Sequence, residues 1–521
     1  MKTKNLLFTA MASIAFITGA YTQNVTIPDA NFKAALVANA SINTNMDAEI
    51  QISEAAAFTG GINVSNSGII NLTGIGAFTA LTSLECNWNY ISSMNLTACI
   101  ALTTLDCSYN QLLSLNLSAC TALTTLNCSG NQLSTLNLSA CTALTTLNCS
   151  GNQLSSLNVS SHAALTSLLF TGNPLTSINV SYCTSLTTLD CSGNSLSTLN
   201  VSSCTALTTL DCSSNSLTSL NVSTCSALTT LNCSGNYYSL SSLNVSTCSE
   251  LTTLDCSGNY YLSGLNLSAN TALTTLSCFY NQLTSLNLSA CTALTTVNCN
   301  NNYLSGLNLS ANTALTTLGC YNNQLTSLDV SACTALTILS CDANQLTSLD
   351  VSACSALTYL ACSYNLLTSL DVSACIALTT LNCSYNLLTS LDVRNGNNNW
   401  MVYYDFNASY NPNLSCIEVD NATWSNANWP FIDATTSFSE NCSAVGILDN
   451  NETNAPIFYP NPTTGSIYLS EPANITLSDL SGKLLLEEEN TNQLDISSLP
   501  AGMYFLSFGE NNNQIVKVIK E

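Results

Sequence analysis

The chain of 521 residues has only 7% charged residues, yet its formal net charge is −23. No Lys or Arg occurs between Lys33 and Arg394. That argues against nucleic acid, whose phosphates need basic partners, and against an anionic membrane surface. The one histidine, His162, gives no basis for His-dependent catalysis or a zinc centre.

Residues 1–22 read as a signal peptide. Lys2 and Lys4 precede an apolar run from Leu6 to Ile17, and Gly19-Ala20 offers small residues for cleavage. The run is too short to span a bilayer and no other stretch is apolar enough over enough length. The mature chain is therefore expected to be exported without a transmembrane segment. Residues 23–80 are expected to form an N-terminal cap. Phe32, Ala35, Leu36 and Ala40 share one helical face, with Asp29 or Asn31 as the cap residue. In the loop that follows, Asn43, Asn45, Asp47, Glu49 and Glu54 fall at the oxygen-bearing positions of a twelve-residue calcium loop. The pattern resembles EF-hand and dockerin-type loops, but Asn43 stands where Asp is usual and Ala48 where Gly is usual. A bound Ca2+ and a plain polar capping loop both remain open. Residues 61–80 look like a degenerate leading repeat.

From Leu81 to about Asn398 a unit of 21 residues recurs in fifteen copies, reading L-x-x-L-x-C-x-x-N-x-L-x-x-L-[ND]-[LV]-S-x-C-x-A. A period in this range marks a solenoid. The first eleven positions resemble the leucine-rich repeat family, with Cys at the sixth place where Leu is usual. The resemblance implies short parallel strands on a concave face, an irregular convex side, and positions 1, 4, 6, 9 and 11 pointing inward. Position 9 is Asn in all fifteen copies, from Asn89 to Asn386. Its amide can donate and accept within a buried turn, which is a structural role. Position 15 changes from Asn to Asp at Asp329, Asp350, Asp371 and Asp392. That column is either solvated and accepting backbone N–H groups or a weak cation site.

Of the 27 cysteines, fourteen occupy position 6 and eleven position 19. Rungs stack about 4.8 Å apart, whereas a disulfide needs Cβ atoms near 3.8 Å in a set orientation. At position 19, Asn270 and Asn312 replace Cys, while Cys256, Cys278, Cys299 and Cys320 remain. Obligatory pairing between the columns would strand some of these. Both columns therefore read as small apolar core residues, and their spacing does not suit zinc. Cys416 and Cys442 stand apart, and whether they pair is left open.

Aromatic residues interrupt the polar outward positions. One group is Trp88, Tyr90 and Tyr109. The larger one is Tyr237, Tyr238, Tyr260, Tyr261, Phe279, Tyr280, Tyr303 and Tyr321, and it includes two lengthened repeats. Insertions on one face of a solenoid often mark a binding site, and exposed Tyr gives stiff contact area with a polar tip. The alternative is that these rings only cover loop backbone. Beyond Asn398 the period fails. Residues 399–448 read as a C-terminal cap with an irregular last rung at Phe406, Asn411 and Leu414, and 449–456 as a polar linker.

Residues 457–521 are short alternating strands split by turns, the grammar of a small β-sandwich. They resemble the C-terminal sorting domain of the type IX secretion system. The resemblance rests on Tyr459-Pro460-Asn461-Pro462 with Gly465, the Asp479 to Gly482 turn before Lys483, Leu499-Pro500-Ala501-Gly502 with Tyr504, and Lys517-Val518-Ile519-Lys520. It implies passage by that machinery to the outer-membrane surface or the exterior of a Gram-negative bacterium. The repeats are similar to the internalin type, whose members are adhesins. The expected function is thus binding or adhesion, not catalysis, with a protein or glycan held on the concave face. The alternative is a structural or ice-interacting surface, suggested by Thr at positions 2 and 3.

Overall fold

The computed structural model describes residues 23–442, 458–459, 462–479, 483–508 and 514–521. The signal peptide at 1–22, residues 443–448 of the cap, the linker at 449–456, Pro460-Asn461 and the 480–482 turn lie outside the described residues.

The repeat unit dictates a rung. In Thr-Leu-Asn or Thr-Leu-Asp the middle Leu is buried and its neighbours half-buried, so only three residues run as a strand. Equivalent strands pair in parallel and in register, Leu105 beside Leu126 beside Leu147. Seventeen such strands make one continuous sheet, from Gly61–Asn63 to Phe406–Asn407. Its first strand pairs with Ser83–Glu85, so residues 61–80 do supply a leading rung. The position 2 hydroxyls tie rung to rung: Thr124 Oγ1 donates to the Thr103 carbonyl at 3.1 Å. A second, four-stranded parallel ladder forms at the C-terminal end from Ser369–Asp371, Ser390–Asp392, Cys416–Glu418 and Ser437–Ser439.

Two polar devices hold each turn. The first is the Asn column. Asn152 Oδ1 accepts the Leu133 N–H at 3.0 Å. Its Nδ2 donates to the carbonyls of Cys128 at 3.0 Å and Cys149 at 3.1 Å. The pattern repeats along the solenoid and ends on Asn411, which accepts from Leu388. The second lies at position 15, where Asp329, Asp350 and Asp371 each accept the N–H two residues on. The N–H acceptor role expected of those aspartates is thus present.

Both cysteine columns lie in the core. Twenty-five cysteines are free and buried. The position 19 thiols make long contacts to backbone carbonyls, as Cys204 Sγ does to Val180 at 3.7 Å. Cys416 and Cys442 form a disulfide. His162 takes the position 19 place in its rung and is buried with both ring nitrogens unpartnered.

At the N-terminal end, helix α1 (Ala30–Val37) buries Phe32 and Leu36 against the first rungs. Asp29 caps it and also accepts the N–H groups of Ile70 and Asn71, fixing the helix to the leading rung. Burial raises the Asp29 carboxyl, but these backbone N–H groups outweigh it and hold the group below its ordinary value. Helix α2 (Ile52–Ala57) starts with a Gln51/Glu54 capping box. At the other end, helix α3 (Ala422–Asn428) leads to Trp429, which stacks on Phe406 at 4.0 Å. Arg394 pairs with Asp392 and Glu418, each at 2.6 Å.

The C-terminal segment is a small antiparallel β domain of five strands with its own core, including Ile467, Ile475, Leu477, Leu506 and Val518. The strands form one sheet whose longest members are bulged, and a parallel bridge joins Thr463 to Lys520.

Candidate binding site

The site candidates lie on one edge of the solenoid, where each rung leaves its strand. Position 8 has a positive φ in all fifteen copies, from Trp88 at 57° to Tyr385 at 54°. Glycine suits that backbone, and six copies have it. The others carry Trp, Tyr, Ser, Asn or Ala, although a left-handed non-glycine residue costs roughly 1 kcal/mol. The left-handed residue reverses the chain so that the next residue, Asn, turns inward. Positions 7, 8 and 10 are thereby left along the edge, one set per rung.

The eight aromatic candidates fall in three groups there. Tyr237, Tyr238 and Tyr260 cluster, with Tyr260 5.8 Å from Tyr237 and 5.3 Å from Tyr238. In the lengthened rungs, the position 9 Asn of the next rung accepts from Asn236 N and Asn259 N instead of from Leu. Tyr261 is exposed. The remaining four occupy three successive rungs and are interspersed with amides. Position 7 runs Phe279, Asn300, Tyr321, position 8 runs Tyr280, Asn301, Asn322, and position 10 runs Gln282, Tyr303, Gln324. Asn300 can lie flat on the sheet because Gly319 has no side chain: a Cβ there would come within 2.9 Å of its amide. Its Oδ1 accepts the Tyr321 N–H at 2.8 Å. Asn322 Nδ2 donates to Asn301 Oδ1 at 2.6 Å.

Tyr260, Tyr280 and Tyr303 line one open groove of about 480 Å³, together with amides that include Gln282, Asn301, Asn322 and Gln324. Aromatic composition singled out the tyrosines. The amides went unnoticed, because Asn and Gln are common throughout the repeats and only the rung stacking brings these beside the rings.

Two further aromatic columns use position 8. Trp88 stacks on Tyr109 at 4.1 Å. Tyr364, Tyr385 and Tyr410 stack in succession at 4.2 and 4.0 Å. Hydroxyl contacts with Tyr410 and then Tyr364 push the Tyr385 phenol above its ordinary value. This second column was legible only in part: Tyr364 and Tyr385 are one period apart, while Tyr410 belongs to the irregular rung.

In the loop at 43–54, the five oxygen-bearing residues have protein partners. Asp47 Oδ2 accepts from Asn45 and Gln51, at 2.9 and 2.8 Å. Glu54 Oε1 accepts from Thr44 and Asn45. Glu49 pairs with Lys33 at 2.5 Å. Asn43 Nδ2 donates to the carbonyls of Val37 and Asp47, while its buried Oδ1 has no partner.

A sheet of single-strand rungs with an Asn column and a Leu core defines the class: this is a leucine-rich repeat solenoid, a fold typical of binding proteins. Residues 28–152 match the leucine-rich repeat domain of the endo-beta-N-acetylglucosaminidase EndoS, and 313–353 match a two-copy leucine-rich repeat family. Residues 457–521 match the secretion system C-terminal sorting domain, which directs a chain to the cell surface or exterior. No curated protein matches the chain. Among solved structures it is similar to the functional domain of InlJ from Listeria monocytogenes, a domain that includes a cysteine ladder. That likeness has 28% identity and a TM-score of 0.61, and covers 96% of this chain and 98% of that one. A leucine-rich repeat protein of Leptospira interrogans is 23% identical with a TM-score of 0.57, over 64% of this chain and 92% of that one. A plant peptide hormone receptor in complex with RGF2 is 21% identical with a TM-score of 0.54, over 73% and 70%. The last two show the fold alone. The chain thus joins a leucine-rich repeat solenoid similar to the InlJ domain to a C-terminal segment that matches a secretion sorting domain.

Proposed function

We propose that this protein is an adhesin-type binder, displayed on or released from the outer membrane, whose ligand seats on the Tyr-rich edge and adjoining strand face. The observation that carries the reading is the groove between Tyr260, Tyr280 and Tyr303. Tyr280 and Tyr303 are about half exposed in rungs that could hold small polar residues instead. Large exposed aromatics at a concave surface favour recognition. The sorting domain supports an exterior location, and the binding function of such solenoids supports the reading by analogy. The chain's one imidazole, His162, is buried, which supports binding over His-dependent chemistry.

The test is a screen of the purified protein against arrays of defined surface proteins and glycans, repeated with Tyr260→Ala and Tyr280→Ala. Binding of one ligand that weakens about ten-fold or more in both variants is expected. A ligand held with unchanged affinity by both would displace the site from this edge.

A further inference from the structure

The rungs at 273–324 carry a pattern more specific than exposed tyrosine. Rings and amides are interspersed over three rungs, so each ring has amide neighbours. The rings differ from those of the two stacked columns. Tyr364, Tyr385 and Tyr410 cover one another's faces. Among the described residues Tyr303 meets no other ring, and Tyr280 meets only Phe279, edge-on at 5.6 Å. Neither ring is stacked on another, and both are about half exposed. Gln282 and Gln324 are exposed, and each amide offers both donors and an acceptor. No charged side chain lines the groove, in a chain whose net charge is −23.

We infer that this groove binds a neutral glycan, with sugar rings lying against Tyr280 and Tyr303 and their hydroxyl groups bonded to Gln282, Asn322 and Gln324. The inference rests on the binding reading above and names its ligand class. Sugar hydroxyls both donate and accept, as side-chain amides do. The C–H-rich face of a pyranose is flat and weakly polar, as a tyrosine face is. An acidic glycan would meet no cation in the groove and would be repelled by the protein's overall charge. A protein ligand would instead suit an apolar centre, which the edge offers at the Tyr364–Tyr410 column with the exposed Leu366 and Leu387.

The experiment is affinity gel electrophoresis of the full-length protein in gels containing α-glucan, β-glucan, mannan or galactan, with polygalacturonate as the acidic arm. At least one neutral polysaccharide is expected to retard the wild type, equally at about 50 and about 500 mM salt because no ion pair is involved. Tyr303→Ala and Tyr280→Gly are expected to weaken retardation about ten-fold or more. Gly suits the left-handed backbone at 280, so that variant keeps the fold, which circular dichroism verifies. Tyr385→Ala is expected to leave retardation unchanged. Absence of retardation by every neutral polysaccharide overturns the proposal, as does retardation insensitive to both groove variants. If a protein ligand is then lost in Tyr280→Gly, the binding reading stands without its glycan. If no ligand responds to the groove variants, both fall.

Discussion

Raising the pH should unfold the solenoid well before ordinary alkaline denaturation. The fourteen position 6 thiols are fully buried, and burial lifts their ionisation far above the ordinary value, to about 12 at Cys149, Cys299 and Cys383. In the unfolded chain they ionise near 9. A folded value raised above the unfolded one contributes stability that is complete below the unfolded value and is lost as pH rises past it. Each thiol then favours the unfolded chain by about 0.4 kcal/mol at pH 9 and about 1.4 kcal/mol at pH 10. Fourteen give about 6 and about 20 kcal/mol, against a typical domain stability of about 5–15 kcal/mol. The position 19 thiols add to this, since burial and then the neighbouring Cys120 raise Cys141 to about 11. Far-ultraviolet circular dichroism against pH, with a parallel iodoacetamide count of reactive thiols, should show one cooperative loss of structure between about pH 9 and 10.5. Alkylation should be negligible at pH 8 and become extensive across the same transition. A protein still folded at pH 11, or thiols that react at pH 8 in the native state, would refute the reasoning.

Asn152→Ala removes four bonds but leaves only one backbone group bare. Cys128 O is still served by Asn131 and Cys149 O by Asn173, while the Leu133 N–H loses its acceptor. The expected cost is about 2–4 kcal/mol in urea unfolding, and a cost below about 1 kcal/mol would mean the column does not hold the turns. Cys416→Ser with Cys442→Ser opens a loop spanned by a sequence separation of 26 and should cost about 3 kcal/mol. The same loss should appear when the wild type is melted with reductant. Asn312→Cys removes a buried, unpartnered Oδ1 and should raise stability by about 1 kcal/mol. A lower melting temperature in that variant would show that its two donor bonds matter more. For the 43–54 loop, the acceptor oxygens of Asp47 and Glu54 already hold N–H groups, so chelator should leave the melting curve unmoved. A rise of several degrees with millimolar calcium would assign the loop a cation.

How much was legible follows from what a repeat can encode. A residue recurring in every rung faces the same surroundings each time. The inward Leu, the Asn column and the two Cys columns were therefore determined by the sequence itself, with their roles. Stacking geometry within a column and the Asn270 and Asn312 replacements between columns were enough to argue against disulfides there, and the 25 free buried thiols agree. Where the period breaks, the sequence states only that something differs. It marked the tyrosines of the lengthened rungs but not the amides beside them. It left the pairing of Cys416 and Cys442 open, and it gave no sign that Tyr410 completes a stack with Tyr385. These are contacts between residues about one rung apart in space, and in the irregular rungs no fixed sequence separation reports them. Only the tertiary structure gathered the candidate residues on one edge, because a left-handed residue in each rung leaves positions 7, 8 and 10 side by side along it.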